Sequence, residues 1–499
     1  MNEREHSKQG GVGAAAPTCA TAAAHPPMEV CASEIDASCR VPLLALFGGA
    51  ALWLVLGLVL GIAAVMSFHK PDMFADCAFL TFGRAQAAAN DLLLYGFAIP
   101  AALGVMLWIF ARLSQAPLAL PMVPIVAANL WHLGVLIGTI AILIGESTGH
   151  PWLEYPRGAA VLLFAGFMLV AVSAAATMGF RLNRELYPSH WFLFAALLWF
   201  VWSYATANLL LSSSQPPRGV AQAVIDWWFG NNLLFVWLAL AGIGIAYYFL
   251  PKIAGKPLAS SGYVMFAFLA LIFFGTWCGI PQGAPVPAWL PTISAFAAML
   301  SLLPVLAIAI ITVKTVRGSC VACGGGPFCF IRFGVLSFVA SSFLYLGEFC
   351  PRGSRVLEFT WFGFGVTQWQ LLGFAMMILS GGIYEILPRV MEKEMPFPKL
   401  ARLNFWLSLV GVVLFVLPLV IGGVVQGMKF RDMNISFADA NAAALLFLRI
   451  STTGQLLVLL GALCLSLNIF VMTIQWKFGL ARTAFTTVKA SLKPLEVKS

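Results

Sequence analysis

Long runs almost free of charge restrict this chain more than any other feature. The stretch "LLALFGGAALWLVLGLVLGIAAVM" at 43–66 is one of them. Each run approaches the roughly 20 residues that a helix needs to cross a bilayer. Of the 499 residues, 61% are apolar and only 10% charged, whereas about a quarter of a soluble domain is charged. Twelve candidate spans follow, at roughly 42–66, 90–111, 120–144, 157–179, 190–212, 231–250, 262–280, 289–312, 332–348, 361–387, 403–425 and 442–473. The last is long enough to tilt or to extend past the membrane. The first lies too far from the N-terminus, and is too long, for a cleaved signal. The fold class expected is an all-α, twelve-helix transmembrane bundle.

Residues 1–40 are rich in Ala, Gly, Ser and Pro and cannot bury enough apolar surface to offset ordering entropy, which predicts a disordered tail. Residues 41–480 read as one membrane domain and 481–499 as a C-terminal tail. The net charge of +9 does not point to nucleic acid, because it is distributed by topology. With both termini in the cytoplasm, most of the 29 Lys and Arg fall in inside segments, the pattern that orients a polytopic chain.

Intramembrane redox chemistry needs intramembrane ligands, of which histidine is the usual one. His6 and His25 fall in the tail, His69 and His150 in outer loops, and His190 at the start of a span. Only His132 in "NLWHLGVLIG" sits within a span, where a buried imidazole hydrogen-bonded to a neighbouring helix is expected. Glu146, Glu348 and Glu385 are costly at membrane depth unless paired, protonated or near water. Glu385 and Arg389 have the spacing of a helix-end ion pair. A polar path through Glu348, Glu385 and Thr367 would instead suit proton conduction. In "RGSCVACGGGPFC", Cys320, Cys323 and Cys329 are expected as reduced thiols; completing a zinc site would need a tail cysteine such as Cys19, Cys31 or Cys39. Cys77 and Cys350 fall toward the outer face, where a disulfide is permitted.

The segment "WWFGNNLLFVWLALAGIGIAYYFLPKIAGKP" at 227–257 carries a family likeness. So do "LLGFAMMILSGGIYEILPRV", "GGVVQGMKFRD", "LFLRISTTGQLLVLLGAL" and "LEYP" at 153–156. Together, over most of 41–480, they resemble the catalytic subunit I of cbb3-type cytochrome c oxidases, in the haem–copper oxidase superfamily that also includes nitric oxide reductases. The resemblance implies haem b, copper and partner subunits, c-type cytochromes among them. It also implies an integral protein of a bacterial inner membrane.

The departures fall on the ligands. The family's first low-spin haem histidine is Ala89 here, and its first copper histidine is Asn231. Its adjacent histidine pair falls within Ile280 to Gly283, and its histidine-x-histidine becomes Val366 and Gln368. The cross-linked tyrosine falls near Ser341 or Ser342. Amides and aliphatic groups cannot replace imidazoles at such centres. The expectation is therefore a redox-silent structural, assembly or regulatory subunit of a respiratory complex, with no catalytic, cofactor-binding or metal residue. A haem-containing terminal oxidase or nitric oxide reductase-like enzyme with unusual ligation is one alternative, and a transporter or proton-conducting module is another. A haem-free bundle should also fill the porphyrin volume, and Trp361, Phe362, Phe364 and Trp369 lie near the old ligand positions.

Overall fold

In the computed structural model, the described residues are 31–491 except 75, 183–184, 214 and 320–323, with side chains described to 485. Twelve helices form the bundle. They are α1 Ala32–His69, α2 Phe82–Ser114, α3 Met122–Ile144, α4 Arg157–Gly179, α5 Pro188–Leu211, α6 Val220–Ala254, α7 Ser261–Gly275, α8 Trp289–Val316, α9 Pro327–Glu348, α10 Trp361–Met391, α11 Pro398–Phe430 and α12 Phe437–Ser491. Eleven are long and apolar enough to cross a membrane, and α7 is a shorter apolar helix of 15 residues. No strand occurs among the described residues.

Burial separates the helices into two sets. The most apolar windows of α2 and α6 are 100% buried and that of α10 is 89% buried, against 39–61% for the other long helices. A helix apolar on every side belongs in the middle of a bundle. The outer helices turn Leu52, Val59, Ile140, Val161, Leu198 and Phe273 outward, the surface a lipid solvent accepts.

Each central helix departs from α geometry at one place. The backbone widens to π-helical turns at Leu92–Ala98 in α2, Asn232–Trp237 in α6 and Trp369–Met376 in α10. Ile99 N–H, for example, reaches back to the carbonyl of Leu94, and Leu238 N–H to that of Leu233. Such turns are rare and cluster at functional sites.

Several boundaries differ from the sequence reading. The first helix begins at Ala32, inside the stretch assigned to the tail, because Asp36 is anchored: it accepts from Trp108 Nε1 at 2.8 Å and pairs with Arg112 at 3.6 Å. The last helix runs on to Ser491, past the limit of 480. The earlier part of the tail, with His6, His25 and Cys19, lies outside the described residues. The span expected at 262–280 stops at Gly275, because Gly279 takes a left-handed φ of 106° in a proline-rich loop.

His132 is hydrogen-bonded to a neighbouring helix as expected, and its imidazole is partly buried. Trp53 Nε1 donates to its Nδ1 at 3.1 Å, and its Nε2 faces the Ala45 carbonyl at 3.2 Å. The ring needs Gly49 beneath it, since a Cβ there would overlap it. Gly49→Ala should therefore destabilise the protein by about 1–3 kcal/mol through overpacking, measured as a lower Tm in detergent.

Candidate functional site

Of the positions that the resemblance assigns to metal ligands, Ala89, Asn231, Val366 and Gln368 lie just before the π turns of the central helices. Asn231 immediately precedes the π turns of α6 and is 3% exposed. Its amide Nδ2 donates to the Gly275 carbonyl at 2.8 Å, and its Oδ1 accepts from the Tyr345 hydroxyl at 2.8 Å. Gly275 is the last residue of α7, and carbonyls at a helix end lack intrahelical partners. Its carbonyl accepts from Cys278 N–H at 3.4 Å, and Asn231 supplies the shorter bond. Tyr345, on α9, stacks on Phe235 with ring centroids 5.2 Å apart. Gly279 closes over the same amide, where a Cβ would stand 2.5 Å from Asn231 Cβ.

The loop that holds residues 280–283 is tied down as well. Ile280 N–H donates to Ser294 Oγ at 3.0 Å, Gln282 N–H to Glu358 Oε1 at 3.0 Å, and Gln282 Nε2 to the Pro291 carbonyl at 2.7 Å. Beside it opens a cavity of about 310 Å³ whose lining includes Trp152, Asp226, Trp227, Tyr345, Glu348 and Glu358.

The other positions lie between α2 and α10. Ala89 is 1% exposed, and a Cβ on Gly61 of α1 would stand 3.7 Å from its own Cβ. Gln455 of α12 reaches the same spot. Gln368 Nε2 donates to Asn90 Oδ1 at 2.9 Å, and Gln86 Nε2 shares that acceptor at 3.0 Å. Val366 is 1% exposed. Further along α10, the Phe374 ring covers Gly242 of α6 and packs on Phe338 at 4.8 Å. Phe362 packs on Gly423, Trp369 on Gly373, and Trp361 on Phe364 and Phe68.

The sequence reading missed Tyr345. Ser341 and Ser342 are buried, but the hydroxyl that reaches Asn231 comes from one turn later. It also missed Asp91, which is 0% exposed, although a lone carboxyl in an otherwise apolar central helix was a usable signal.

Glu348 and Glu385 do not form one path. Glu385 pairs with Arg389, as expected, near the far end of α10. Glu348 lies against Gly363 at the opposite end, about 33 Å away along the helix axis. Cys320 and Cys323 fall outside the described residues. Cys329 is disulfide-bonded and buried, which corrects the expectation of a reduced thiol there. Cys77 and Cys350 are both free, so the permitted bridge is not made. No group of three or more His, Cys, Asp or Glu suited to a metal occurs among the described residues.

Residues 41–457 match the family described as Cytochrome C and Quinol oxidase polypeptide I. The chain belongs to that family. It is 24% identical over 77% of its length to the cbb3-type cytochrome c oxidase subunit CcoN1 of Stutzerimonas stutzeri, of which 82% is covered. It is 25% identical over 90% of its length to a cytochrome c oxidase subunit 1 homolog of Azorhizobium caulinodans, of which 83% is covered. A heme-copper terminal oxidase dimer solved by cryo-EM matches 87% of the chain and 84% of its own with a TM-score of 0.70 at 15% identity. The protein is thus an integral membrane, oxidase subunit I-like member of the superfamily.

Haem and copper are implied by this family, but the side chains here do not fit them. Ala89 and Val366 offer no lone pair. The Asn231 amide has both its nitrogen and its oxygen engaged, and Gln368 donates to Asn90. No step is derived through either group. Tyr345→Phe should cost about 1–3 kcal/mol, the penalty for stranding the buried Asn231 oxygen. In an Asn231→Ala background the same change should cost less, and the coupling is read from a double-mutant cycle of detergent melts.

Proposed function

We propose that the protein is a redox-silent relative of oxidase subunit I, serving as a structural, assembly or regulatory component of a respiratory membrane complex. The observation that supports this best is Asn231. At the position of the first copper histidine, an amide is held between the Gly275 carbonyl and the Tyr345 hydroxyl. Releasing it to face a metal would leave the Tyr345 hydroxyl without its acceptor and the Gly275 carbonyl with only the 3.4 Å bond from Cys278 N–H. The other positions add to the case, with carbon side chains at Ala89 and Val366 and a bonded amide at Gln368. The partners proposed are other membrane or c-type cytochrome subunits, since relatives of this chain are themselves named as oxidase subunits. The location proposed is a bacterial inner membrane with both termini in the cytoplasm, on the charge bias of the loops.

A pyridine haemochrome assay with metal analysis, on protein purified without partner subunits, tests the reading. Haem and copper are expected well below one per chain. Stoichiometric haem b would overturn the proposal and favour a working oxidase with unmatched ligands. Topology is tested separately by C-terminal fusions: a fluorescent reporter that folds in the cytoplasm should be active, and a reporter that folds only after export should be silent.

A further inference from the structure

Asp91 lies two residues beyond Ala89 and faces the loop that carries Glu154. Its side chain is 0% exposed, and neither of its oxygens has a hydrogen-bond partner; Glu154 Oε2 is also without one. Neither residue joins an ion pair among the described residues. Tyr95, Tyr155 and Tyr204 surround Asp91. The Tyr95 hydroxyl is committed to the Trp152 carbonyl at 2.6 Å, and that of Tyr155 sits 3.4 Å from Thr139 Oγ1. The remaining charged group near Glu154 is Asp226, which adds repulsion.

Two adjacent carboxylates in apolar surroundings cannot both stay ionised. An unpaired buried charge is far more costly than a protonated acid. A divalent cation would need six or more oxygen ligands, and this pair offers two carboxyl groups without a third acidic, thiol or imidazole ligand. One proton meets the need, because a protonated carboxyl donates and a carboxylate accepts.

We propose that Asp91 and Glu154 form a proton-sharing carboxyl pair, which exchanges its proton with the aqueous side through Asp226 and the cavity beside it. The proposal stands apart from the redox-silent reading. The groups are arranged outward in order. Behind Glu154, Asp226 is held by His150 Nδ1 at 3.1 Å and lines the cavity together with Glu348 and Glu358. Glu154 lies outside the spans, and burial raises its carboxyl to about 7, within reach of ordinary pH changes. The step moves one proton between solvent and the pair; no electron or other bond is involved.

Infrared spectroscopy of the full-length protein in lipid tests this, in a Glu348→Gln background that removes a second buried acid. At neutral pH a carbonyl stretch from a protonated carboxyl is expected. It should shift in D2O, fade in alkaline buffer, and vanish in Asp91→Asn/Glu154→Gln. If the double variant does not fold, Asp91→Asn alone should lose the band, because the amide then donates to Glu154 in place of the proton. Melting gives a second readout. The folded state keeps a proton on Glu154 that the unfolded chain gives up above about 4.5, so Tm should fall as pH rises from there to about 7, and less steeply in Glu154→Gln. Absence of the band from the Glu348→Gln protein at neutral pH, or its persistence unchanged in the double variant, would overturn the proposal. So would one tightly bound divalent cation per chain that exchanges only on chelation, since both carboxyls would then be ionised.

Discussion

Everything in this bundle depends on three helices that lack a lipid face. Inside α2, α6 and α10 an unmet polar group has little access to water, so a partner has to come from the protein; Asn231 and Gln368 find one, and Asp91 does not. Their π turns sharpen the demand, because a widened turn displaces backbone groups from regular pairing. These turns follow Ala89, Asn231 and Gln368, the positions that departed from the family's ligands. The backbone departs from α geometry next to positions whose side chains, Ala89, Asn231 and Gln368, are not imidazoles. Helix geometry and ligand chemistry are separable, and a shared fold does not carry the reaction with it.

Amides at two of these positions have a local cause. The short α7 ends at Gly275 with its carbonyl turned into the core, and Tyr345 brings a hydroxyl to the same point. A leucine at 231 would fill space but strand the Tyr345 hydroxyl and leave the Gly275 carbonyl only its longer bond from Cys278 N–H. Asparagine answers both, and each neutral bond so made contributes about 0.5–1.5 kcal/mol net, while each group left bare would cost about 1–3 kcal/mol. Gln368 plays the same part across the α2–α10 contact by donating to Asn90.

The spans were legible because hydropathy over twenty residues is a strong, local signal, and the early end at 275 goes with a glycine whose left-handed turn is not visible in composition. His132 and the Glu385–Arg389 pair were legible for a related reason: one is a lone polar group on an apolar helix, the other is set by i, i+4 spacing. What escaped depends on tertiary approach. Tyr345 matters because α9 brings it to α6, and sequence offered no measure of that distance. The π turns arise from packing among buried helices. The polar path that a proton-conducting module would need through Glu348 and Glu385 depends on approach in the same way: Glu348, on α9, lies against one end of α10, and Glu385 sits near the other.

The acid pair bears on what kind of protein this is. A scaffold under no constraint except stability gains nothing from bare buried carboxyls, and apolar residues of similar volume would serve it better. Asp91 has no cation to hold and no hydrogen bond to complete, so its contribution to packing alone is unfavourable. Glu154 comes from a loop that could turn its side chain to water, yet the chain places it against Asp91 beneath Trp152. Two acids set together at such a disadvantage, and followed outward by Asp226 and a cavity of about 310 Å³, make physical sense as a place for a mobile proton. Holding and releasing a proton needs no electron transfer, and the proposed exchange at Asp91 and Glu154 is compatible with the redox-silent role proposed above.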